Sequence, residues 1–141
     1  MLKFSDVRPG AVAYFDVSIL NNDPYVRKPH SLATRNGPFL CYANSNGHCC
    51  WVEITTQPGN ERLEILKEWR TGGSATWQAT AQYVNDGRTT YCGSTQCFLN
   101  AANDTEVDRF NPKPGNRRPQ VCPKGVEIIA ELVKERGGKN L

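Results

Sequence analysis

The strongest constraint on the fold is a polar turn between two apolar runs near the first third of the chain. Residues 39–43 read FLCYA, residues 44–47 read NSNG, and residues 48–55 read HCCWVEIT. Asn and Gly tolerate positive φ, and an Asn-Gly turn between apolar runs is typical of a β-hairpin. The sequence therefore predicts two antiparallel strands joined by a tight turn.

Alternation along the second strand predicts which side chains share a face. One set is Cys50, Val52 and Ile54, and the other is Cys49, Trp51, Glu53 and Thr55. We expect one of these faces to lie on the core and Thr55 to lie on the less buried side, close to Glu53.

The two ends of this hairpin carry polar groups that suit a site. Arg35 comes just before the first strand, and Thr55 and Thr56 close the second. If the strands pair, a guanidinium that stays charged and two hydroxyl groups lie at the same end of one sheet.

Other segments predict further short elements. Residues 11–17 (AVAYFDV) follow a Pro-Gly turn and alternate as a first strand. Residues 76–84 and 88–92 predict a second hairpin around the Asn-Asp-Gly turn at 85–87. Residues 61–69 fit either a strand or a short helix, because their apolar positions do not settle the period.

The C-terminal segment has the pattern of an amphipathic helix. Pro123 suits the first helical position, Val126, Ile129, Ala130 and Val133 recur at helical spacing, and Gly137 provides a stop. Short antiparallel strands with one terminal helix indicate an α+β protein, mainly β, built as a small barrel or strongly bent sheet. We predict one domain over 1–141, with a barrel core at 1–102, a basic Pro-rich connector at 103–122 and a helix at 123–137.

The net charge of the 141-residue chain is +3, and its basic residues are unevenly placed. Residues 109–124 contain five Lys or Arg and no acidic residue. Residues 24–52 contain Arg27, Lys28 and Arg35 and likewise no acidic residue. Such segments predict a positive face for phosphate or another anion, or else solvated loops with chance runs of charge.

The six cysteines are expected to be free thiols that pack as small apolar side chains. The first 17 residues contain charges that interrupt any signal-peptide core or membrane span, so we predict a cytoplasmic protein without a membrane segment. Adjacent Cys49 and Cys50 point to opposite faces of a strand and His48 lies beside Cys49, so neither a zinc site nor a Cys-His nucleophile is favoured. No metal or cofactor is predicted.

The order of these motifs resembles the PemK/MazF family of toxin endoribonucleases. The segment at 9–17 (PGAVAYFDV) is similar to the family's first strand, Arg35 and Pro38 introduce an apolar strand, and Ile54-Thr55-Thr56 ends the next strand. The resemblance covers about residues 9–57 and implies a small SH3-like antiparallel barrel. Here Asn36 and Gly37 separate the Arg from the Pro, which in the family are adjacent.

The resemblance implies metal-independent cleavage of single-stranded RNA by a member of a toxin-antitoxin pair. It carries the catalytic Arg and Thr onto Arg35 and Thr55. A protein antitoxin is then an expected partner, and a homodimer is open.

We add further candidates from the chemistry of such a reaction. Histidine is a common general acid or base, so His30 is a candidate for either role. Candidates for substrate binding are Arg27, Lys28, Thr56, Arg117 and Arg118. Tyr25, Trp69 and Trp77 are candidates for stacking on bases.

Each candidate also has a structural alternative. Arg35 could cap a strand or pair with Asp16, Thr55 could be an ordinary β-branched strand residue, and His30 could be a loop histidine. The alternative function is a non-catalytic SH3-like barrel that binds nucleic acid or a protein, as a regulator or a phage interaction protein. The spacing between Arg35 and Pro38 favours this alternative.

Overall fold

The computed structural model of the chain describes residues 2–103 and 117–141. Within them the protein is mixed α and β, as predicted, and its strands pair antiparallel. The strands are β1 (Val12–Phe15), β2 (Gly37–Ser45), β3 (His48–Thr55), β4 (Leu63–Ile65), β5 (Arg70–Thr71), β6 (Gln82–Val84), β7 (Thr90–Ser94) and β8 (Gln120–Val121). The helices are α1 (Val17–Asn22), α2 (Ala75–Ala79), α3 (Thr95–Ala101) and α4 (Pro123–Glu135), and 3₁₀ turns span Phe4–Asp6 and Lys67–Trp69.

The predicted central hairpin is confirmed. Strands β2 and β3 pair from Phe39 opposite Glu53 to Ser45 opposite His48. Asn46 and Gly47 form the turn with φ of 52° and 78°, the positive values that a tight hairpin turn requires. The register shifts by one residue between Cys41 and Ala43, so β2 contains a bulge that bends the pair.

The hairpin is buried on both faces, so the expectation of a single core face was wrong. On one face, five aromatic rings pack with centroids 4.8 to 5.8 Å apart, and α1 and α3 cover them. These rings belong to Phe15, Phe39, Trp51, Tyr91 and Phe98. On the other face, aliphatic strand residues pack against α4.

The C-terminal helix lies where the sequence predicted it, over Pro123–Glu135. Val126, Ile129 and Val133 are buried on the second face of the hairpin, and Gly137 with φ of 79° follows the helix end. The apolar stripe of the helix therefore packs on the core.

The predicted second hairpin was wrong. Residues 75–79 form helix α2, because Ser74 caps it by accepting a hydrogen bond from the Trp77 N–H at 3.4 Å. Strands β6 and β7 both pair with β3, and neither pairs with the other.

Residues 85–89 form an excursion between β6 and β7. Ile54 of β3 pairs with Val84 and Val52 pairs with Thr90, so these five residues stand opposite Glu53 alone. The Asn85 N–H donates to the Glu53 carbonyl at 3.0 Å, and the Glu53 N–H donates to the Thr89 carbonyl at 3.1 Å. The backbone of Glu53 is therefore hydrogen-bonded to the first and the last residue of the excursion.

The main sheet has the order β1-β2-β3-β6-β4, with β7 also on β3, and β5 pairs with β8 in a second sheet. No ladder within residues 2–103 and 117–141 joins β1 to β4, so the main sheet is open. The predicted connector at 103–122 ends in β8, whose Val121 pairs with Arg70, so the end of the connector forms a strand. Residues 104–116 of the connector, with Arg109 and Lys113, lie outside the described residues.

The expectation of free thiols was wrong for one pair, because Cys50 and Cys92 form a disulfide between paired positions of β3 and β7. Cys41, Cys49 and Cys97 are buried free thiols that pack in the aromatic core as expected, and Cys122 is half-buried. Burial raises the pKa of the Cys41 and Cys49 thiols, which keeps them protonated and inert. None of the described helices is long and apolar enough to cross a membrane.

Candidate functional site

A cleft of about 600 Å³ lies at the end of the hairpin away from its turn. We call it the first cleft. It is lined by the loop at 31–36, the start of β2, the end of β3 and parts of two later loops. Arg35, Thr55 and Thr56, three of the predicted site residues, line it together.

Arg35 is held at the rim by its neighbours in sequence. The Asn36 side-chain oxygen accepts from the Val17 N–H at 2.9 Å, and the Asn36 carbonyl accepts from the Tyr14 hydroxyl at 3.1 Å. Gly37 is the first residue of β2 and pairs with Phe15. The two residues that separate Arg35 from Pro38 are therefore anchored to the sheet.

The Arg35 side chain is exposed to solvent at this rim. It makes no hydrogen bond or ion pair with any other residue that the structure describes. The Asp16 carboxylate instead accepts from Ser18 N–H and Oγ at 3.0 and 2.7 Å and caps α1, so the alternative of an Arg35–Asp16 pair is not formed. An exposed guanidinium with free donors can bind a phosphate bidentately.

Thr55 and Thr56 lie half-buried at the end of β3, where they line the first cleft. Thr55 Oγ1 accepts from the Gln57 N–H at 3.2 Å, and this leaves the hydroxyl proton available as a donor. Arg62 also lines the cleft, but its Nη1 donates to the Gln57 carbonyl at 2.8 Å and holds the turn after β3.

Glu53 is a site residue that our sequence-based selection missed. It lines the first cleft, is half-buried, and accepts a hydrogen bond from the Asn85 side-chain amide. Burial raises the pKa of the Glu53 carboxyl, and the hydrogen bond from Asn85 and the charge of Arg62 oppose that shift. The alternation that put Glu53 on the face of Thr55 was the available signal.

A second cleft of about 370 Å³ adjoins the first, and Ser31 and Thr89 line both. His30 lines this second cleft and not the first. The structure therefore does not bring His30 together with Arg35 and Thr55, and a direct role beside them has no geometric support.

The four remaining predicted cations line neither cleft. Arg27 donates to the Asn140 carbonyl, and the Lys28 ammonium donates to the carbonyls of Asp23 and Val26. Arg118 donates to the Val12 carbonyl at 3.2 Å. Val12 lies three residues along β1 from Phe15, the residue that pairs with Gly37 beside the first cleft, which is a distance of about 10 Å along the strand. Arg117 is exposed beside Gly73, whose N–H donates to its carbonyl.

Two of the three predicted stacking residues are buried. Trp77 is fully enclosed and Trp69 is 7% exposed, so they belong to the core. Tyr25 is 83% exposed, but it lines neither cleft. Leu32, 47% exposed, is the large apolar side chain that the first cleft does present.

In the part of the chain that the structure describes, no three His, Cys, Asp or Glu side chains are grouped as metal ligands. Comparisons with protein-family models, curated proteins and solved structures each find no match to this chain.

Proposed function

We propose that the protein binds single-stranded RNA in the first cleft and cleaves it without a metal ion. The observation that carries this proposal is which groups surround one open space: the Arg35 guanidinium, unpaired among the described residues, the Thr55 and Thr56 hydroxyls, and the Glu53 carboxyl of raised pKa. These are the groups that cleavage by an internal 2′-hydroxyl requires: a charge clamp, hydrogen-bond donors and a proton acceptor.

Glu53 takes the part of the proton acceptor in this proposal. The carboxylate removes the proton from the ribose 2′-hydroxyl, and O2′ forms a bond to phosphorus. The bond from phosphorus to O5′ then breaks, which leaves a 2′,3′-cyclic phosphate on one product. The 5′-oxygen of the other product takes a proton from solvent water, and Glu53 returns its proton to solvent. A pKa raised towards the working pH makes the carboxylate a better base.

Arg35 and the two threonines act on the phosphate. The planar guanidinium donates to two oxygens of the phosphorane as its negative charge develops. The Thr55 hydroxyl, which already accepts from Gln57, donates its proton to a phosphate oxygen or orients the 2′-hydroxyl.

An SH3-like barrel remains part of this proposal. Strand β8 is bridged to the residue before β1 through Gln120 and Ala11, so strand pairing runs from β5 through β8, β1, β2, β3 and β6 to β4. Only the short segment between β4 and β5 separates the two ends of that path. This path of strand pairing supports a barrel-like arrangement, and that arrangement in turn supports the proposed kinship to PemK/MazF toxins.

A cleavage assay in EDTA tests the function. A labelled single-stranded RNA is incubated with the intact chain, with Arg35→Ala and with Arg8→Ala, a control that removes an exposed Arg lining neither cleft. We expect cyclic-phosphate ends, a loss of about 10²–10³ in rate for Arg35→Ala, and little change for the control.

If the intact chain binds RNA but leaves it uncut, the protein is the non-catalytic binder of the alternative. If it neither binds nor cuts RNA, both nucleic-acid functions are excluded. Equal loss in the two variants would show that Arg35 acts only through general charge.

A further inference from the structure

The second cleft is lined by three segments that are distant in sequence. They are the loop at 29–31, the excursion with the first residue of β7, and the chain that follows α4. Among the residues that the structure describes, its charged lining consists of three cations, Arg88, Arg136 and Lys139, and one carboxylate, Asp86, with His30 beside them. A concave surface with this excess of positive charge attracts anions.

The single carboxylate is already engaged. Asp86 Oδ1 accepts from the N–H groups of Arg88 and Thr89 at 2.7 and 3.0 Å, which fixes the turn of the excursion. Arg136 donates to the carbonyls of Glu61 and Asp86, and Arg88 pairs with the exposed Glu61 at 3.2 Å. These two arginines therefore hold the walls of the cleft.

Lys139 is the cation left available for a ligand. The backbone N–H of Lys139 donates to Thr90 Oγ1 at 2.9 Å, and its backbone carbonyl accepts from the Tyr42 hydroxyl at 2.6 Å. The backbone of Lys139 is therefore fixed to the sheet. Within residues 2–103 and 117–141, its ammonium group makes no hydrogen bond or ion pair. Lys139 can therefore contact an anion in the cleft through its ammonium group, from a backbone position that is fixed.

We infer that the second cleft binds a phosphodiester group of the RNA next to the one cleaved in the first cleft, with Lys139 as its main contact. Ser31 and Thr89 line both clefts, so the clefts are adjacent and a strand that leaves the first cleft can enter the second. His30 then contacts the flanking nucleotide and takes no part in the chemistry. This inference rests on the proposed function, because it assigns the second cleft to the same substrate.

Lys139→Gln tests the inference, with Lys134→Gln as the matched control. Lys134 is an exposed Lys in the last turn of α4 and lines neither cleft. Each variant is compared with the intact chain for kcat/KM on a dinucleotide and on a longer oligonucleotide, and for the affinity of the longer RNA over a series of salt concentrations.

We expect Lys139→Gln to weaken binding of the longer RNA several-fold and to lower the slope of log affinity against log salt by about 0.7, the value for one phosphate of a single strand. Lys139→Gln should also reduce the ratio of kcat/KM for the longer substrate to kcat/KM for the dinucleotide. Lys134→Gln should keep that ratio.

The outcomes separate the two proposals. If the intact chain cleaves both substrates and the two variants behave alike, the second-cleft inference is overturned and the proposed function stands. If Lys139→Gln changes only the binding of a poly-glutamate peptide, the cleft serves an acidic protein segment and the RNA inference is overturned. If the intact chain cleaves neither substrate, the proposed function itself has failed.

Discussion

The two clefts share a wall but differ in the state of their charged groups. In the first cleft, Arg35 has no partner among the described residues, and Glu53 is a half-buried carboxyl with a raised pKa. In the second, the carboxylate is occupied by backbone N–H groups and two of the three cations hold the walls. We therefore propose chemistry in the first cleft and electrostatic binding in the second, and mutations should separate rate from affinity.

The largest expected effect is on the rate in the first cleft. Glu53→Gln keeps a side-chain oxygen that can accept from Asn85 but removes the base, so kcat should fall by about 10²–10⁴. RNA affinity should not fall and should rise slightly, because a neutral side chain replaces a carboxylate that repels phosphate. The measurement is a single-turnover rate beside a binding isotherm, and an unaltered rate would refute the role of Glu53.

A smaller effect is expected on the pH dependence of that rate. Glu53 must be ionised to accept a proton, so the rate should rise with pH through its pKa, which burial holds above the ordinary value. Asn85→Ala removes a donor that stabilises the carboxylate, so the pKa should rise further and the acid limb should move to higher pH.

At pH values on the acid limb, Asn85→Ala should therefore cleave several-fold more slowly than the intact chain. At higher pH its rate should approach that of the intact chain. Asn100→Ala, an exposed amide on α3, is the control. An acid limb that stays in place in Asn85→Ala would mean that another group sets the profile.

The smallest effect is expected from cations outside both clefts. Arg27→Gln and Arg117→Gln each remove one charge from positions that the sequence predicted as substrate-binding. Since neither residue lines a cleft, each should lower RNA affinity and the salt slope less than Lys139→Gln does. A full phosphate contribution from Arg117 would instead extend the RNA path towards β8.

The sequence predicted the parts of the fold that depend on local chemistry. The hairpin turn follows from Asn46 and Gly47, and α4 follows from Pro123, its apolar stripe and Gly137. The same local logic gave Arg35 and Thr55 at one end of the sheet. Because the two strands pair over almost their whole length, that placement needed no further information.

The missed features depend on pairing between distant segments. The excursion at 85–89 resembles a hairpin turn in sequence, and only the register of β6 and β7 on β3 shows that it faces Glu53. Glu53 gains its environment from Asn85, which lies 32 residues away. The Cys50–Cys92 bond requires the same long-range register.

The disulfide has a consequence for how the protein responds to proteolysis. Cys50 and Cys92 enclose residues 51–91, which include the exposed segment 57–61. A protease that cuts this segment leaves two fragments joined covalently, one with Arg35 and Glu53 and the other with Asn85. The nicked chain should migrate as one species until a reductant separates it, and it should keep both sides of the first cleft in place after its backbone is broken.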